Sequence, residues 1–232
     1  MIDILDSNSY NHFSKHFVAV DCVIFGYEED NLKLLLYPRG FEPSQGKWSL
    51  MGGFVRDNES MDQAARRVLN FTVGLDNIYL EQVRSFSDPE RDPGGRVISM
   101  AYFALIRIDQ YDKELVRNHG AHWWPITKLP PLIFDHANMI ENALERLQRK
   151  ASLELVGKEL LPEMFTLTQL HNLYNAIFQK QFDAGNFRKK LSSLNLLDRL
   201  PEKDTSNSKR GAYYYKFKYK TSTDNIDRIV KL

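Results

Sequence analysis

A chain of 232 residues, 43% of them hydrophobic, is long enough to bury the cores of one or two ordinary domains. No apolar run approaches the roughly 20 residues that cross a bilayer, Met1-Ile2-Asp3-Ile4-Leu5-Asp6 has no basic stretch ahead of an apolar one, and a lone cysteine, Cys22, excludes an internal disulfide or a cysteine zinc site. The formal charge of +1 hides an asymmetry, because residues 150–232 hold 15 Lys/Arg against 9 Asp/Glu while the rest of the chain is acidic. A cytoplasmic protein without a membrane partner is expected, with Cys22 a buried, inert thiol and a basic C-terminal third that suits either DNA or plain solvent exposure.

In chain order, Phe17 to Tyr27 and Leu32 to Tyr37 are β-branched and aromatic runs around the acidic turn Glu28-Glu29-Asp30-Asn31, the pattern of an antiparallel hairpin. Trp48 to Val55 is a short strand containing the pair Gly52-Gly53, and Ser60 caps a helix whose Ala64, Ala65, Val68, Leu69 and Phe71 are helically spaced before Gly74 ends it. Tyr79 to Phe86 and Val97 to Ile108 are strands flanking a Pro/Gly-rich loop, Ser87 to Arg96, that has the look of a functional insertion. His122 to Ile126 makes a further strand, and Ala137 to Lys150 a helix with Ile140, Leu144 and Leu147 on one face. Two helices follow, Thr166 to Lys180 and Asn186 to Leu196, then a polar run Pro201 to Arg210 and an aromatic, alternating hairpin strand from Gly211 to Lys220. Helix, helix, hairpin is the order of a winged helix-turn-helix. The expected architecture is α+β, with a domain over 1–150 and a DNA-binding domain over 151–232.

One spacing carries chemistry. Gly53, Glu59, Arg67 and Gly74-Leu75 follow the loop-helix-loop box of the Nudix diphosphate hydrolases. Active members of that family present three further carboxylates on one helical face, at i, i+3 and i+4, where they bind magnesium. Here those positions are Val68, Phe71 and Thr72, none of which offers a carboxylate oxygen. The expectation is a scaffold without its catalyst or metal, in which Glu59 and Arg67 form an internal ion pair.

With Trp48 to Val55, Phe86 to Pro93, Arg96 to Tyr102, Phe134-Asp135-His136-Ala137 and Leu161 to Leu167, nearly the whole chain resembles the Nudix-related transcriptional regulators. That resemblance implies a Nudix-type α/β/α sandwich with a mixed sheet, followed by a winged helix, and no enzyme activity or cofactor. More narrowly it resembles the branch in which L-arabinose releases a repressor from DNA. The resemblance then places Tyr37, Arg39, Trp48, Arg56, Ser87, Asp88, Arg91, Asp135 and His136 around an effector cleft, where aromatic and hydrogen-bonding groups would hold a neutral sugar. ADP-ribose is the rival effector, with Arg39, Arg56, Arg84 and Arg91 as its diphosphate partners.

In the second C-terminal helix, Phe187, Leu191 and Leu194 at i, i+4 and i+7 face inward, which turns Asn186, Arg188, Lys189 and Lys190 toward double-stranded operator DNA. Lys209 and Arg210, before the hairpin strand, would touch backbone from the wing. One such helix reads little sequence, so a homodimer on a palindrome is expected. Against this stands an enzyme reading in which Glu59, Asp88 and Glu90 hold the metal elsewhere.

Overall fold

The computed structural model describes residues 12–75, 78–110, 120–206 and 211–218. Its strands are β1 (Phe17–Glu28), β2 (Asn31–Pro38), β3 (Trp48–Ser49), β4 (Met51–Phe54), β5 (Glu81–Phe86), β6 (Val97–Arg107), β7 (His122–Pro125), β8 (Phe165–Thr166), β9 (Leu197–Asp204) and β10 (Ala212–Phe217). The helices are α1 (Met61–Val73), α2 (His136–Leu153), α3 (Leu167–Phe178) and α4 (Ala184–Leu194).

The larger sheet is built on β1. It runs parallel to β6 and antiparallel to two strands that divide its other edge, β4 along Ala19–Cys22 and β2 along Ile24–Glu28. β2 also pairs with β3 and β7, and β5 is antiparallel to β6, so the seven-stranded sheet is mixed. Alternation along β1 sends Val23 and Phe25 to one face and Val20, Cys22 and Ile24 to the other. α1 covers the second face with Ala64, Ala65, Val68, Leu69 and Val73, and α2 covers the first with Met139, Ile140, Ala143, Leu147 and Ala151. The result is the expected α/β/α sandwich. Cys22 is fully buried, and burial pushes its thiol pKa far up, which leaves it unreactive.

Capping chemistry sets the helix starts. Ser60 accepts from Gln63 N while the Gln63 side chain accepts from Ser60 N, and Thr166 and Gln169 repeat this reciprocal pair at α3. Asp183 caps α4 by accepting from Asn186 N.

In the C-terminal unit α3 buries Leu170, Leu173, Tyr174 and Ile177, α4 buries Phe187 and Leu191, and a three-stranded sheet of order β8-β10-β9 completes a winged helix. Its apolar residues join the same cluster as Val23, Phe25, Leu32 and Leu34, so one core runs from the sandwich into the winged helix. α2 runs on to Leu153, beyond the boundary expected at residue 150.

The run 201–210 departs from expectation. The first four residues of this polar run are the end of β9, paired through Lys203↔Tyr213 and Asp204↔Ala212. β9 is an edge strand, where charged residues and a proline are tolerated, and the register shift between Tyr213 and Tyr215 faces the stretch holding Pro201. Among the described residues no helix is long and apolar enough to cross a membrane.

Candidate functional site

A cavity of about 270 Å³ opens between the end of β2, the β3–β4 segment, α1, the loop before β6 and the start of α2. Its floor is a buried polar network. Asp21, on β1, accepts from Ser99 Oγ at 2.6 Å and lies 3.6 Å from both Arg91 Nη2 and His136 Nε2. Arg91, 7% exposed, donates twice to Asp135, Nε to Oδ2 at 2.9 Å and Nη2 to Oδ1 at 2.7 Å. His136 Nδ1 accepts from Leu50 N at 3.0 Å, so its proton sits on Nε2, toward Asp21. Burial lowers the His136 pKa below 6.5, and the ring is neutral at physiological pH. These contacts tie β1, β6, the loop before β6 and α2 together, and they need glycine beside them: a Cβ at Gly52 would strike the Asp21 carboxylate.

Above this floor stand guanidinium and aromatic groups. The Arg39 guanidinium lies 4.1 Å from the Phe41 ring centroid and 5.0 Å from that of Phe134, and Nε donates to Phe41 O at 3.1 Å. Among the described residues Arg39 forms no ion pair, unlike Arg67 and Arg91, which also line the cavity. Phe134 holds φ 49°, a left-handed conformation uncommon for an aromatic residue, and this turns the chain into α2. Phe54 and Phe71 complete the rim.

The box residues bind one another. Arg67 donates through Nε to Glu59 Oε2 at 2.8 Å, through Nη2 to Glu59 Oε1 at 2.5 Å, and to Phe54 O at 2.9 Å, while Arg56 N donates to Glu59 Oε1. The guanidinium holds the Glu59 carboxyl down to about 2. Val68 packs so closely on Gly53 that a Cβ there would sit 2.8 Å from Val68 Cγ2. Thr72 Oγ1 donates back to Val68 O, and Phe71 is 79% exposed. The family's magnesium needs several carboxylate oxygens on this helix face, and these side chains do not supply them.

Of the residues expected at the effector cleft, the cavity brings together Tyr37, Arg39, Arg91 and His136. Asp135 stands behind them as the partner of Arg91, and with Ser87 and Asp88 it borders a neighbouring shallow cleft that also holds Arg84 and Glu90. Trp48 lies outside the cavity, its ring edge-on to Trp124 and His122, as a packed core residue would be. Arg56 is exposed outside the cavity. Asp21, Phe41 and Phe134 are cavity residues absent from the sequence expectation. The left-handed turn at Phe134 leaves no residue-type signal, and Asp21 reads as one polar residue in an apolar strand.

On the winged helix, Asn186, Arg188 and Lys189 of α4 are exposed, Lys190 is partly so, and Arg188 Nη2 lies 3.4 Å from Thr168 Oγ1. Lys209 and Arg210 lie outside the described residues. β9 instead presents Arg199 and Lys203, both exposed, which flank Tyr213 with cation-to-centroid distances of 3.5 and 4.5 Å. Their positive charge lowers the Tyr213 pKa.

Two family models match the chain, "NUDIX domain" over residues 15–143 and "NrtR DNA-binding winged helix domain" over 157–217. An "ADPR responsive transcriptional repressor NtrR" of Acinetobacter baylyi is 31% identical, with 92% of this chain and 87% of the relative aligned. An "ADP-ribose pyrophosphatase" of Methanocaldococcus jannaschii is 33% identical over 59% of this chain and 78% of its own length. NrtR of Shewanella oneidensis, solved in complex with a 27mer DNA, superposes with TM-score 0.75 and 32% identity, covering 87% of this chain and 93% of that one. The NUDIX domain of that protein, solved with ADP ribose, aligns with TM-score 0.50 and 29% identity over 62% of this chain and 99% of that one. The chain therefore belongs to the NrtR family, in which a NUDIX domain is joined to a DNA-binding winged helix.

Proposed function

We propose that this protein is a cytoplasmic DNA-binding repressor that is released from its operator by ADP-ribose held in the NUDIX cavity without hydrolysis. The observation that carries this reading is the guanidinium of Arg39, which among the described residues forms no ion pair and is held over two aromatic rings in the lining of the cavity, in a chain that also carries the winged helix. A diphosphate gains a charge-assisted, bidentate partner in such a cation, where a neutral pentose gains only a hydrogen bond. The relatives that bind or respond to ADP-ribose support the nucleotide over the L-arabinose expected from the narrower resemblance. Val68, Phe71 and Thr72 in place of the box carboxylates, with Glu59 locked onto Arg67, argue for sensing in place of catalysis. Asn186, Arg188, Lys189 and Lys190 are the proposed base and phosphate contacts, and two copies on a palindrome supply the specificity that one α4 lacks.

Fluorescence polarisation on fragments of the protein's own promoter region, at two salt concentrations and with ADP-ribose or L-arabinose added, tests this. Release by ADP-ribose alone is the expected result. Release by arabinose alone would replace the effector, and magnesium-dependent formation of AMP from ADP-ribose would replace the sensor by an enzyme.

A further inference from the structure

At the position where the box of an active hydrolase would set a metal-binding carboxylate, this chain presents a phenyl ring. Phe71 is 79% exposed on α1, yet it lines the cavity, as does Phe54 on β4, which is 43% exposed. Helix α1 has no need of this ring for its own packing, which Ala64, Ala65, Val68, Leu69 and Val73 supply. An aromatic ring left in water at the mouth of a cavity is a surface awaiting a flat partner. Phe54 is itself steadied by the Phe17 ring, with centroids 5.4 Å apart, so the rim is a supported platform. The same cavity is lined by Arg39, which among the described residues forms no ion pair.

We infer that Phe71, with Phe54, is the stacking subsite for the base of a purine nucleotide, so that the helix face that elsewhere binds magnesium here binds adenine. This rests on the nucleotide reading above and deepens it. The two kinds of group then divide the ligand: Arg39 takes the phosphates and the phenyl rim takes the base. Recognition on this arrangement is independent of metal and demands a base, so a sugar phosphate alone binds poorly.

The test is calorimetric titration of the full chain in EDTA with ADP-ribose, AMP and ribose 5-phosphate. ADP-ribose and AMP should bind without metal, and ribose 5-phosphate should bind at least about tenfold more weakly than AMP, the range expected for one base stacked on an aromatic ring. Phe71→Ala should weaken ADP-ribose and AMP by about tenfold while leaving ribose 5-phosphate unchanged, and Phe71→Trp should restore both. Equal binding by wild type and Phe71→Ala, or an equal loss for all three ligands, overturns the stacking assignment and leaves the effector reading intact. Phe71-dependent binding of AMP with no binding of ADP-ribose keeps the subsite and removes the effector, and silence from both nucleotides removes the two together. If Phe71→Ala changes the sedimentation of the protein without altering nucleotide affinity, the ring serves contact between copies and the inference fails.

Discussion

Arg91 shows how much a single side chain carries here. It is the cation between two carboxylates, Asp21 and Asp135, and it is itself buried. Removing it strands the buried Asp21 without its counter-charge, so Arg91→Ala should cost about 3–5 kcal/mol in urea denaturation, the usual consequence of breaking a buried pair from one side. A loss under 1 kcal/mol would show that the network is hydrated and loosely held. His136 adds a dependence on pH. Its folded pKa lies below its ordinary 6.5, so the unfolded chain takes up a proton first as the pH falls. The stability it contributes is complete above pH 6.5 and declines as the pH drops below that value, whereas His136→Asn, with an acceptor retained for Leu50 N, should flatten this part of the curve. A denaturation series from pH 7.5 to 5 in both variants decides it. At this scale Tyr37, Arg39, Arg91 and His136 were reached through the family resemblance, which places them around the cleft. The sequence hid Asp21, which an apolar strand absorbs, and Phe41 and Phe134, whose role depends on a turn and on a guanidinium brought in from elsewhere in the chain.

Elements were legible where periodicity or capping speaks. The starts of α1 and α3 follow Ser60 and Thr166 and the end of α1 follows Gly74, whereas α4 starts at Ala184 behind the Asp183 cap, two residues ahead of the expected Asn186; the alternation of β1 and β2 is visible in the apolar residues themselves. β9 was not legible, because an edge strand needs neither alternation nor an apolar face, and Leu197–Asp204 contains Pro201 and three carboxylates. β8, with two residues, is too short to leave a pattern. This matters for the DNA-binding surface, since the wing's basic groups include Arg199 and Lys203 on that unforeseen strand. If α4 enters the groove and β9 rides on the backbone, the two should fail differently. Lys203→Ala should weaken binding to all sequences alike and lower the slope of log affinity against log salt by about 1, the release of one phosphate contact. Asn186→Ala should leave that slope unchanged and relax discrimination at one base pair. Polarisation titrations over a salt series, on operator and scrambled DNA, separate the two, and an unchanged slope for Lys203→Ala would remove the wing from the interface.

At the scale of the whole molecule, the cavity proposed for the effector and the winged helix are connected by one helix. α2 begins at His136, in the cavity floor, and its 18 residues form a rod of about 27 Å that ends against the winged helix. There Gln148 Nε2 donates to Ile177 O at 2.9 Å, and Tyr174 OH donates to Glu154 O just past the helix end. On the opposite side Asp30, in the β1–β2 turn, accepts from Asn172 Nδ2 at 3.0 Å. If phosphates held by Arg39 also attract Arg91 in the same cavity, its grip on Asp135 at the head of α2 would loosen, and a shift of that rod would reach α3 through Gln148 and Tyr174. Coupling of this kind is a difference in affinity between two arrangements and amounts to about 1–3 kcal/mol, or some 5- to 150-fold in operator affinity. Gln148→Ala leaves both binding sites untouched, so it should bind ADP-ribose and operator with wild-type affinities when each is tested alone. Because the shared core still holds the two units together, it should also unfold in a single transition. What should fall, several-fold, is the ratio of operator affinities measured without and with saturating ADP-ribose. By linkage the same variant must show an equal fall in the effect of operator DNA on ADP-ribose affinity, and a full wild-type ratio in either direction would mean that the signal does not travel through α2.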